Sequence, residues 1–181
     1  VEEDRKMFLA LIADAREEKR KEAYERLLGS KDPNAGKLAE AGVLISKVVC
    51  EGADPGTLER AIEIFEGFTM NSYLHGFMEA AGDVLLTKGL SIEKDGKGKS
   101  EMLGYGLRTV ALAQGGGFPL SDLTLESVRL ARVAKPELAE DAGRIIRINS
   151  MLAPKPEKKL RAFKKKGRLF EKRKRSKETV G

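Results

Sequence analysis

Three observations predict an all-α fold, an irregular bundle or short solenoid of about seven helices, followed by a basic C-terminal extension. Apolar residues recur at three- and four-residue spacing in one segment after another. The breaks between segments carry Asp-Pro, Gly or Ser, residues that start or stop helices. No short run alternates apolar and polar residues between turn signals, as a half-buried strand would. The 181 residues contain no Trp and only 6% aromatics, so the core must rest on Leu, Ile, Val, Ala and Met.

The first 28 residues read as one helix, with Phe8, Leu11, Ile12, Ala15, Ala23, Tyr24, Leu27 and Leu28 at helical spacing. Glu2, Glu3 and Asp4 face the positive end of its dipole. Its charged middle, Arg16 to Glu22, carries the i,i+4 pairs Glu17–Lys21 and Glu22–Arg26, and Gly29 stops it. Asp32 and Pro33 then open a helix through Leu38, Ala41, Leu44, Ile45, Val48 and Val49 to about Glu51, which Gly52 ends. Asp54 and Pro55 repeat the cap before Leu58, Ala61, Ile62 and Phe65, and Gly67 breaks the chain. A helix from Met70 to Lys88 follows, closed by Gly89. After the polar loop 91–99, Ser100 is expected to cap a helix to Gln114. Gly115, Gly116, Gly117, Phe118 and Pro119 form a turn, and Ser121 caps a helix to about Ala134. Pro136 starts the last helix, which ends before Pro154. Antiparallel helix pairs follow from the short connections, but no residue signature repeats at a fixed period.

Most chemical motifs in this body have a simpler structural reading. Gly98-Lys99-Ser100 matches the end of a phosphate-binding loop, but Glu93 stands where that loop needs glycine and no strand precedes it. Lys97, Lys99 and the following helix start are left as a secondary anion contact. The three glycines 115–117 are a helix stop more readily than a ligand cradle. His75 and Cys50 are the lone histidine and cysteine, too few for a zinc site, and they make a nucleophile pair only if the fold brings them together. Glu137, Glu140 and Asp141 fall where a helix dipole favours carboxylates. No catalytic site assembles, no cofactor or metal is implied, and a non-enzymatic role is expected. A single cysteine excludes an intrachain disulfide, and no apolar run reaches the ~20 residues of a membrane helix.

Charge carries the functional signal. Residues 1–153, the helical body, have a net charge of −4, whereas residues 154–181 hold thirteen Lys and Arg and only three acids, a net +10. A basic arm on a slightly acidic body is a polyanion-binding arrangement. Lys158, Lys159, Arg161, Lys164, Lys165, Lys166, Arg168, Lys172, Arg173, Lys174 and Arg175 are the candidate phosphate contacts. Leu160, Phe163, Leu169 and Phe170 are interspersed among them, suited to an amphipathic turn or to stacking on bases. An import signal at Lys172–Arg175 and anionic lipid are rival readings, and charge density disfavours lipid insertion. The expectation is an RNA-binding subunit of a large ribonucleoprotein, of the organelle-ribosome kind, with rRNA and neighbouring subunits as partners. The absence of a helix-turn-helix or zinc module favours RNA over DNA. A scaffold of an acidic protein assembly and a DNA-binding protein are the alternatives. The start at Val1 fits a cleaved targeting peptide, hence a mitochondrial or plastid interior, with nucleus and cytoplasm as alternatives.

Overall fold

Residues 1–153 are described by a computed structural model. They form eight α-helices and no strands. The helices are α1 (Glu2–Ala13), α2 (Glu17–Leu28), α3 (Ala35–Val49), α4 (Leu58–Glu66), α5 (Leu74–Ser91), α6 (Lys97–Gln114), α7 (Asp122–Ala134) and α8 (Ala139–Leu152). Short 3-10 turns at Pro55–Thr57 and Pro136–Leu138 lead into α4 and α8.

The expected first helix is two. Asp14 is extended (φ −69°, ψ 129°), and its carboxylate accepts the Arg16 backbone N–H at 2.9 Å and the Arg16 guanidinium at 2.9 and 3.0 Å. Nothing in the local pattern signals this break, because no glycine or proline occurs there. A distant partner secures it. The Arg20 guanidinium, only 8% exposed, donates to the Asp14 and Ala15 carbonyls at 2.8 and 3.1 Å, groups the end of α1 leaves without helical partners.

Three other boundaries differ from expectation, one for a local reason and two through contacts across the fold. The Asn71 side chain accepts from the Tyr73 and Leu74 N–H groups at 3.0 and 2.9 Å, so α5 starts at Leu74 rather than Met70. Gly89 does not close α5 but lies inside it, buried against α6. Ser100 does not cap α6. That helix already begins at Lys97, and the Ser100 hydroxyl donates to Glu137 at 2.6 Å. Ser121 does cap α7, accepting the Thr124 N–H at 3.4 Å. Asp32 and Asp54 each accept a backbone N–H two residues on, at 2.8 and 2.7 Å, one turn ahead of α3 and α4. Gly52 takes the left-handed conformation (φ +70°) that lets the chain turn out of α3.

Consecutive helices pair as α1 with α2, α3 with α4, α5 with α6 and α7 with α8. Helices α4, α6 and α8 follow one another in one layer. The other layer runs α3, α1, α5, α7, with α1 inserted between α3 and α5. The arrangement is a short two-layered stack of helical hairpins. Phe8, Phe65, Phe77, Ile12, Leu38, Ile62 and Met78 are fully buried at its centre, where Phe8 and Phe77 meet edge to face with centroids 5.4 Å apart.

The α5–α6 hairpin is the most intimate contact. Gly82 lies against Val110, Leu86 against Gly106, and Gly89 against Leu103. Each pair of residue numbers has the same sum, which is the register of an antiparallel pair. A Cβ on Gly82 would sit 3.0 Å from the Val110 nitrogen, and one on Gly106 would sit 3.1 Å from the Leu86 nitrogen. The missing side chains bring the two backbones together.

Candidate nucleic-acid interface

The arm residues singled out by charge, Lys158 to Arg175, lie outside the described residues. The structure does show how the arm's root is held. Asn149, 5% exposed on the last turns of α8, accepts the Leu120 N–H at 2.7 Å. One turn earlier, the Gln114 side chain donates to the Ile145 carbonyl at 3.0 Å. These two buried bonds tie α8 to the end of α6 and the start of α7, so the C-terminal end of α8 is held beside the start of α7. On the flank of α8, Arg144 pairs with Glu140 and Asp141 at 3.5 and 3.9 Å, while Arg147 makes no ion pair among the described residues.

The second anion candidate does not assemble. The Lys97 ammonium pairs with Glu101 at 3.4 Å, and Lys99 donates to the Ile92 carbonyl at 3.0 Å. Asp95 pairs with the buried Lys135, which also lies 3.9 Å from Glu137. Gly98-Lys99-Ser100 is the first turn of a helix whose cations are already engaged, and the segment fastens the α5–α6 connection to the α7–α8 junction. The bond from Ser100 and the nearby Lys135 keep the Glu137 carboxyl below its ordinary range.

Cys50 and His75 share no partner. The thiol donates weakly to the Ile12 and Asp14 carbonyls, at 3.5 and 3.7 Å, at the end of α1. The His75 ring stacks on Phe118, with centroids 4.3 Å apart and planes 6° apart. Phe118 in turn covers Gly116, so the triple-glycine turn folds onto the start of α5. Burial lowers the His75 pKa, with Glu79 opposing and Arg5 assisting. Among the described residues no group of three or more His, Cys, Asp and Glu side chains is placed to hold a metal ion. None of the described helices is long and apolar enough to cross a membrane.

Sequence reasoning missed two surfaces. A cleft of about 260 Å³ between α2 and α3 is floored by Leu11, Tyr24 and Val43 and walled by Arg20, Lys47 and Glu51. Arg20 spends one nitrogen on the two carbonyls and sits 3.7 Å from Glu51 with another, so the cleft wall is built from internally paired charge. The second surface is an apolar stripe on α7, where Leu123 and Val133 are 81% and 80% exposed and Leu130 is 49% exposed. Its spacing was readable in the sequence, but which face of α7 pointed outward was not. No known protein family, curated protein or solved structure matches this chain.

Proposed function

We propose that this chain is a non-enzymatic, RNA-binding structural subunit of a large ribonucleoprotein of the ribosomal kind. The observation that carries the reading is the separation of charge, +10 on residues 154–181 against −4 on the body. Such a segment releases counterions from a phosphate backbone and holds RNA without reading its sequence. Two features of the body support this role. Many of its charges are paired with each other, as in Arg108 with Glu59 and Glu66, and the end of α8 is fixed by buried hydrogen bonds. The body then serves as a platform for neighbouring subunits and the arm as the phosphate-neutralising element.

Binding of a structured RNA by the full chain and by residues 1–153 across a salt series tests the reading. The full chain should show a log–log salt slope of several units, and the truncated chain should lose nearly all affinity. Changing Lys164, Lys165 and Lys166 together to Glu should reduce both affinity and slope. Equal, weak binding by all three proteins would overturn the proposal. If the natural assembly survived ribonuclease intact, an acidic protein surface would replace RNA as the arm's partner.

A further inference from the structure

The outward face of α7 is self-complementary. Leu123, Glu126, Leu130 and Val133 follow at intervals of three, four and three residues, opposite the buried face of Thr124, Leu125, Val128 and Ala131. That spacing is the seam of a paired helix, about 15 Å long. Glu126 is the one charged member of the seam, and exposed Arg129 flanks it, 3.7 Å from Glu126 within the same helix.

We infer that α7 pairs antiparallel with α7 of a second copy of this chain. With the two-fold axis near Val128, Leu123 of each copy lies level with Val133 of the other. Glu126 lies level with Leu130 of the other copy and beside that copy's Arg129. Two symmetry-related Glu126–Arg129 bridges then flank a strip of six apolar side chains. The same face turned parallel would set Glu126 beside Glu126, so charge selects the antiparallel arrangement. Antiparallel helix dipoles favour it as well.

One eleven-residue stripe buries less than the roughly 800 Å² per partner of a standard stable interface, so the dimer is weak. The bond from Leu120 to Asn149 puts each arm's root at the Leu123 end of its α7. Antiparallel pairing therefore places the C-terminal ends of the two α8 helices at opposite ends of the seam.

Sedimentation equilibrium of the full chain, without nucleic acid, from micromolar to near-millimolar concentration is the test. A monomer–dimer equilibrium is expected. Leu130→Glu should abolish it. Glu126→Arg and Arg129→Glu, each placing like charges together, should each weaken it by about tenfold or more, and the double swap should restore it. All four variants change exposed positions and should retain the parent's thermal midpoint, which separates loss of pairing from loss of fold. A monomer at every concentration overturns the inference, as does a dimer that Leu130→Glu leaves intact or a double swap that fails to rescue.

Discussion

The α1–α2 and α5–α6 hairpins show two ways to join helices. At the α1–α2 corner the chain turns through Asp14, Ala15 and Arg16, and the turn is held by polar groups. Arg20 satisfies the carbonyls at the end of α1, and the Asp14 carboxylate binds Arg16. The α5–α6 pair depends instead on absent side chains, with Gly82, Gly89 and Gly106 each facing a branched residue of the other helix. The first joint depends on hydrogen bonds at its corner. The second makes few specific polar bonds but has no spare volume, because interiors pack near crystal density.

That contrast can be broken most forcefully at Gly82. Leu at this position must displace Val110 and the α6 backbone, and it should cost about 3 kcal/mol or more in urea denaturation of the full chain. Ala at Gly36, where nothing lies within 4 Å of an added Cβ, should not destabilise the protein. Equal effects at the two sites would refute the close-packing account.

Arg20→Ala comes next. It leaves the Ala15 carbonyl without its donor and the Asp14 carbonyl with only the weak Cys50 thiol, and should cost about 1–3 kcal/mol. Arg20→Lys should recover only part of this, because an ammonium cannot serve the two carbonyls with one nitrogen and face Glu51 with another. Full recovery by Lys would mean that charge, not geometry, holds the corner.

The smallest effect is expected at His75, where Phe118, lying over Gly116, stacks on the imidazole. Burial favours the neutral ring and lowers its folded-state pKa, although Glu79 opposes this and Arg5 reinforces it. The associated stability is present above the unfolded-state pKa of about 6.5 and declines as pH falls through the lower folded value. Thermal midpoints should fall modestly from neutral to mildly acidic pH, and His75→Phe should flatten that step. The Asp14 carboxyl, held at about 2 by Arg16, contributes a separate loss at lower pH: its stabilisation is present above the unfolded-state value of about 3.9 and disappears as pH falls through 2.

Much of the fold was legible where local chemistry acts alone. The cap at Ser121, the helix periodicity from Leu103 to Ala111 and the end of α8 before Pro154 each depend on neighbours within one turn. Asn71 shifts the start of α5 locally, but the other misreadings share a cause. Gly89 resembles a stop, and Ser100 resembles a cap, until Leu103 and Glu137 arrive from elsewhere in the chain. Lys99 likewise resembles an anion ligand until the Ile92 carbonyl takes its proton donor. The charge of residues 154–181 was the most legible feature of all, since thirteen Lys and Arg need no partner to be recognised.

By itself the sequence determined the helical class, most helix segments and the separation of a basic arm from an acidic body, because periodicity and charge are properties of the chain. Only the tertiary structure decided where α1 breaks, which glycines serve packing rather than turning, and which face of α7 remains uncovered. Those outcomes depend on residues far apart in the chain arriving at the same place, and a contact of that kind leaves no trace in the local pattern of either segment.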